Sequence, residues 1–540
     1  MVSKRSSSKK ESKTKIRSRD GSAEGVKHSS SDATINNERM FGDLEELMTY
    51  IGSSYPHYRK TVFPLILTSS FLFLTSRFIT EMGRLKELDN TNYDENHEYF
   101  YSKCHMNEWD NAKKVAKNAD FMPEKVPKWE LSIVMNAILM FSTTTVSPRR
   151  LALISVTMVS ISYFAMAHFP QQTQMSMFVS QVFTEIYRMV AMVTIAESVP
   201  KFHRMPALVL LEFAAVAART IANIFVRLPA DVSIDMSYCF EIFGFGTVVM
   251  SFVTYYTFHD SLYSLLARSK TDQMQSRVTA IFAKAQITLA ADAVIDQIAF
   301  ENFENNQNPI EILARTLKTF KLLQEVLVCG VISGACLLVN AFMQSELTEH
   351  SEIMFFETTL IPTVAYTASG VILIVICILL PRHRVLPVIV LIPVLFCAAS
   401  AMLLIPRQFR VYDKCTHHWV VEKSVRPAYF GAGVLVSSIS HMIRFFVRVH
   451  LLEVMPVLIR TAVIAILYFL QFSFDGNVRD LYSHRSIDGF FVLMMITMLS
   501  MLVLLINPRK KNYMNVFFCE YTSNDKKKSI PPAPEFEKVN

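Results

Sequence analysis

Glycine is scarce in this chain. There are 14 among 540 residues, and none lies between Gly83 and Gly244. Average usage of roughly 7% would place about 11 in that interval. Helices that slide over one another in a membrane rely on small residues at their contacts. Here alanine has to serve, and Ala214, Ala215, Ala217 and Ala218 cluster in one segment. Charge is low as well, at 19% of residues, against roughly 25% in soluble domains. No Gly-x-x-x-x-Gly-Lys-Ser/Thr loop occurs, which excludes the phosphate cradle of an ATP-driven pump. His-Glu-x-x-His and Gly-x-Ser-x-Gly are missing too, so the chain reads as a non-enzyme, with no metal or organic cofactor implied. The eight cysteines show no metal-ligand spacing. Cys239, Cys329, Cys336, Cys377 and Cys397 lie in apolar segments and read as small packing residues. Cys104 and Cys415 lie in loops, and whether they pair is open. His417 and His418 share the second of those loops and are read as ordinary loop residues.

What is abundant is apolar. Hydrophobic residues make up 51% of the chain, and mean hydropathy is +0.28. Apolar segments fall at about 61–79, 129–145, 151–169, 175–196, 205–226 and 236–258, then at 323–343, 358–380, 385–405, 427–447, 454–473 and 488–507. A run of about 20 apolar residues rises far enough to cross a bilayer core of roughly 30 Å. In lipid each backbone group must be bonded within its own segment, so these are helices. The expected organisation is a Ser- and Lys-rich tail at 1–60, a six-helix half at 61–258 with a large external loop at 80–128, a central loop at 259–322, a second six-helix half at 323–507 and a tail at 508–540. The central loop carries RVTAIFAKAQITLAADAVIDQIAFENF, whose spacing fits a helix lying under the bundle. The net charge of +7 resides largely in tails and loops and is not read as a nucleic-acid footprint. Lys and Arg concentrate in loops on one side, which predicts a multi-pass protein with both termini in the cytosol; the plasma membrane is the expected location. The loop 406–427 runs against this trend, with five basic residues.

The two halves share punctuation. AESVPKFHR contains Glu197, Pro200 and Arg204, and LEVMPVLIR contains Glu453, Pro456 and Arg460, each position shifted by 256. Both copies fall between the fourth and fifth segments of their own half. A weaker echo pairs SPRRL, with Arg149 and Arg150, with PRHRVL, with Arg382 and Arg384. Duplicated halves related by an axis along the membrane normal are a known construction of membrane transporters.

These residues resemble the major facilitator superfamily, and within it the organic cation/anion transporter family. That family has a large first external loop, an acidic-then-basic pattern after helix four and a close analogue after helix ten. LEVMPVLIRT is similar to its Ala-Glu-Leu-Tyr-Pro-Thr-x-x-Arg stretch, and AESVPKFHR to the first-half counterpart. Of the family's Pro-Glu-Ser-Pro-Arg-Trp-Leu after helix six, HDSLYSLL keeps Asp260, Ser261 and Leu265 in register. The Asp-Arg-x-Gly-Arg-Arg loop is reduced to Arg149 and Arg150. The resemblance implies an all-α fold of twelve transmembrane helices in two pseudo-symmetric halves. It also implies secondary transport of a small organic ion by alternating access, in a lipid bilayer and without nucleic acid.

Ionisable residues inside the segments are costly in lipid and persist where they face protein or water. Glu185 and Arg188 stand three apart on one face, as a self-neutralised pair or as substrate contacts. Glu212 and Arg219 share a face of the next segment. His441, Arg444 and Arg448 follow at i, i+3 and i+7. Arg444 is the candidate for an anionic group, whereas Arg448 is expected to snorkel to the surface. Glu185, Arg188, Glu212, Arg219 and Arg444 are therefore the candidate substrate contacts. Arg149, Arg150, Glu197, Arg204, Arg382, Arg384, Glu453 and Arg460 are the candidate gate. Arg77 and Glu241 read as interfacial. The charge sign of the substrate and the oligomeric state stay open. So does the alternative of a transport-inactive protein of this fold serving as receptor, scaffold or signalling partner.

Overall fold

A computed structural model describes residues 57–91, 146–227, 236–267, 320–350, 367–373, 385–412, 419–422, 424–455, 460–468 and 487–506, with residues 273, 276, 364, 375, 376 and 457. Within these ranges the chain is helical: α1 (His57–Thr91), α2 (Pro148–His168), α3 (Thr173–Ser198), α4 (Lys201–Arg227), α5 (Met236–Thr257), α6 (Leu262–Ala267), α7 (Phe320–His350), α8 (Val385–Gln408), α9 (Arg426–Val454) and α10 (Ile487–Ile506). Eight described helices are long and apolar enough to cross a membrane. They match eight of the twelve expected segments. A ninth, 454–473, is helical over 460–468, and a tenth is α10. The segment 129–145, most of 358–380, the tails, most of both large loops, Cys104, Cys415, Arg382 and Arg384 lie outside the described residues.

Two boundaries differ from expectation. Helix α1 continues to Thr91, well into the expected external loop, although its apolar span stops at Thr80. Residues 81–89, EMGRLKELD, are rich in strong helix formers, so propensity carries the helix beyond the point where hydropathy falls. Within the basic loop at 406–427, β1 (Arg410–Tyr412) pairs antiparallel with β2 (Trp419–Val421).

Burial ranks the helices. In α3 and α9, 83% and 78% of the most apolar window is buried, against 22% in α5. The first two are central, and the third faces out on most of its circumference. Its exposed Tyr238, Ile242, Phe245, Val249, Phe252 and Tyr256 recur every three or four residues, the stripe of a helix side turned to lipid. Helices α1 to α5 pack on one another, and α7 to α10 likewise. Three of the described glycines mark close contact, while Gly330, Gly334 and Gly431 have open space where a Cβ would stand. A Cβ on Gly246 would stand 2.4 Å from the Phe71 ring, and one on Gly370 would stand 3.0 Å from Phe213 of the other half.

Candidate functional site

The two halves meet through buried charge, in two layers. The first is at the α3–α4 junction. Helix α3 ends as Pro200 breaks the chain, the Val199 N–H donating to the Ile195 carbonyl at 3.1 Å. Arg204 folds back from the first turn of α4 and donates to the carbonyls of Ala196 (2.7 Å) and Val199 (3.4 Å). These are carbonyls that a helix end leaves without intrahelical donors. Shifted by 256 residues, the bond at the helix end and the arginine bond to the carbonyl five residues back recur. Met455 N–H donates to Leu451 at 2.9 Å, and Arg460 donates to the Met455 carbonyl at 3.3 and 3.2 Å.

The first-copy glutamate then reaches across. Glu197 accepts from Arg460 Nη1 at 2.7 Å, although the two are 263 positions apart. It also accepts from the Ser261 hydroxyl, which in turn accepts from the Ser264 N–H at 3.0 Å. Next to it, Asp260 accepts from the backbone N–H of Arg149 at 2.8 Å. That carboxylate stands at the N-terminus of α2, where the free amides and the helix dipole favour a negative charge. Arg149 also donates to the Tyr255 carbonyl at 3.2 Å. One connected patch therefore joins the start of α2, the end of α3, the segment after α5 and the second half. Arg150 is exposed and Glu453 half-buried.

The second layer lies deeper. Glu212 of α4 accepts from Arg188 of α3 at 2.9 Å and from Arg448 of α9 at 3.1 Å. His441 Nε2 of α9 stands 3.3 Å from the same carboxylate oxygen. Glu185 is 3.7 Å from Arg188. Aromatic faces complete the setting: Phe73 lies 4.5 Å from the Arg188 guanidinium, and Tyr468 lies 4.8 Å from that of Arg448. Such stacking stabilises a desolvated cation. Arg448 is thus a buried tie between the halves, not the snorkelling residue expected, because its neighbour Glu212 comes from a helix 236 positions earlier. Arg77 is also buried, 5.0 Å from the Phe73 ring, so its interfacial reading is corrected too. Glu241 keeps that reading, one-third exposed and 3.9 Å from His168.

All five candidate substrate contacts are buried: Glu185, Arg188, Glu212, Arg219 and Arg444. The first three join directly. Arg219 lies two turns beyond Glu212 along α4. Arg444 donates through Nε to its own helix, at the Ser440 carbonyl (3.2 Å), while its Nη1 and Nη2 have no hydrogen-bond partner among the described residues. Arg188 Nε and Arg448 Nη1 share that state. Arg188 and Arg448 thus face the carboxylates of Glu185 and Glu212, with Arg444 one turn before Arg448 on α9, and several N–H donors of the three have no partner among the described residues. Sequence reading missed Arg448, His441 and Tyr468 as members. The available signal was spacing, since 441, 444 and 448 share a helix face.

No family model and no curated protein matches the sequence. Solved structures do. A double-tryptophan mutant of XylE superposes with a TM-score of 0.53 at 14% identity, over 82% of this chain and 95% of that one. The inward-open xylose transporter XylE from E. coli follows at 0.47 and 13%, over 84% and 98%. The major facilitator superfamily transporter FucP, in its outward conformation, also gives 0.47, at 10% identity, over 83% and 98%. The first of these, with its TM-score of 0.53, carries the likeness, which at 14% identity is one of fold alone: the chain is an all-α, multi-pass membrane protein with the major facilitator fold.

Proposed function

We propose that the chain is a secondary transporter that carries a small organic anion by alternating access. The observation that carries the reading is that, among the described residues, buried guanidinium N–H groups are left unengaged at Arg188 and Arg448, which share the Glu212 carboxylate, and at Arg444, one turn before Arg448 on α9. A buried charged donor left unbonded costs on the order of 1–3 kcal/mol or more. A carboxylate, sulfonate or phosphate group entering between the halves would recover that energy. On this reading Glu212 stands in for the substrate while the halves are together. An incoming anion takes over Arg444 and Arg448 and frees Glu212 for Arg188 alone.

The Glu197–Arg460 layer is the gate. The distribution of Lys and Arg puts it on the cytosolic side, so its closure corresponds to a state open, or occluded, away from the cytosol. Opening toward the cytosol requires that this ion pair part.

The test is uptake into proteoliposomes of a panel of labelled organic anions and cations. Anion uptake above empty vesicles is expected. It should fall at least about tenfold in Arg444→Ala, equivalent to 1.4 kcal/mol of lost binding, and return partly in Arg444→Lys. Anion uptake indifferent to Arg444→Ala would overturn the anion site. Absence of all uptake by folded wild-type chain would favour the second reading, a transport-inactive protein of this fold acting as receptor or scaffold. The observation behind that second reading is that both charge layers already lock the halves together.

A further inference from the structure

We propose that Glu325, Cys329 and His450 form a binding site for a zinc-type divalent metal ion in the second half. The proposal is independent of transport. The carboxylate, thiol and imidazole ligand atoms of these three residues all lie within 4.8 Å of one another, and His450 Nε2 is 3.5 Å from Glu325 Oε2. All three side chains are buried, Cys329 fully.

The fold explains why they meet. Glu325 and Cys329 are four apart on α7 and share a face. Higher on the same contact, the Ser440 hydroxyl of α9 donates to the Cys336 carbonyl of α7 at 2.7 Å, and Ser437 donates to Asn340 at 2.8 Å. As numbers rise along α9 they fall along α7, so the helices run antiparallel. Following that register toward the C-terminus of α9 brings His450 to the turn of α7 that holds Glu325 and Cys329.

The donor set selects the metal. Thiolate and imidazole suit zinc, cobalt or nickel, while magnesium and calcium prefer oxygen alone. Zinc bonds of 2.0–2.3 Å place tetrahedral ligand atoms roughly 3.3–3.8 Å apart. The Glu–His separation already falls there, and the widest of the three contacts has to close by only about an ångström. Charge supports the same occupant. A dication balances one carboxylate and one thiolate around a neutral imidazole, which leaves the buried cluster without net charge. On binding, the Cys329 thiol gives its proton to solvent, the sulfur donates a lone pair to the metal, and bound water leaves. The fourth position stays open to water or to a further ligand. Position suggests a consequence. His450 lies one turn before the α9 end, near the junction that carries Arg460. A metal here would staple α7 to α9 beside the gate.

The experiment uses the full chain, purified in detergent without a polyhistidine tag and titrated with cobalt(II) and with zinc. Wild type should bind one metal per chain, and cobalt should give a thiolate charge-transfer band in the near ultraviolet. Cys329→Ser should abolish the band, and His450→Gln should weaken metal binding at least about tenfold. Both variants are first checked for a single gel-filtration peak, and having two positions keeps the test decisive if one fails to fold. A folded wild type that lacks the band, or a band that survives Cys329→Ser, overturns the site. Equal zinc affinity in wild type and in His450→Gln overturns it as well.

Discussion

The two copies of Glu-x-x-Pro-x-x-x-Arg behave alike within their own junctions and differently across the molecule. In each copy the helix ends at the same relative position, and the arginine returns to the carbonyl five residues earlier. In each the backbone leaves in an extended conformation, with ψ of 135° at Val199 and 138° at Met455. Beyond this the copies part. Glu197 is buried and bonded to Arg460 and Ser261, while Glu453 is half-buried. A duplicated sequence has kept a duplicated local fold, and the first glutamate sits buried in the layer that joins Arg460 to Ser261 while the second is half-buried. The environment, not the motif, decides which carboxylate becomes buried.

The largest effect should follow from Arg460. In Arg460→Ala, Glu197 loses its cationic partner while remaining buried, and breaking a buried pair from one side costs about 3–5 kcal/mol. Arg204→Ala removes the bonds to the Ala196 and Val199 carbonyls and leaves the Glu197–Arg460 pair in place, and should cost nearer 1–3 kcal/mol. Thermal inactivation of the purified proteins compares the two. Equal losses would mean that the cross-half ion pair contributes nothing beyond local capping. Restoration of much of the lost stability in the reversed pair Glu197→Arg with Arg460→Glu would locate the cost in the pairing itself.

A middle-sized effect is expected at Ser261. Its hydroxyl both accepts from Ser264 and donates to Glu197. Ser261→Ala should destabilise by about 1–2 kcal/mol and should lower the further cost of Arg460→Ala, since both act on one carboxylate. Two such residues in one network are coupled, and a double-mutant cycle measures that coupling. Strict additivity would break the claim that they form one layer.

Much of this was legible in the sequence. Hydropathy located the spans because lipid forces helices, and the motif offset located the duplicated junctions. The residues that keep the family resemblance after the sixth segment, Asp260, Ser261 and Leu265, turn out to be a helix-terminus acceptor, a bridge to Glu197 and a buried side chain. Pairing across the halves was not legible. Nothing local to Arg448 says that Glu212 will stand beside it, and nothing local to Cys329 announces His450, because both meetings depend on how two helices from distant parts of the chain are set in register. Helix α1 ran past its apolar span because hydropathy measures fitness for lipid and not fitness to be helical.

The smallest effect should come from Glu453→Gln, the second-copy counterpart of Glu197→Gln. Glu197→Gln replaces the charge that faces Arg460 in a buried layer, so a loss of several kcal/mol is expected. Glu453 keeps access to water, which screens its interactions and leaves partly exposed ion pairs worth roughly 0–1 kcal/mol. The expected shift for Glu453→Gln is therefore within about 1 kcal/mol, or a few degrees in a thermal scan. Raising the salt concentration should shrink it further, since screening reaches a partly exposed charge and not the Glu197–Arg460 pair. A Glu453→Gln loss as large as that of Glu197→Gln, and insensitive to salt, would show that the two carboxylates are equally buried in charge layers. The asymmetry drawn between the copies would then be wrong.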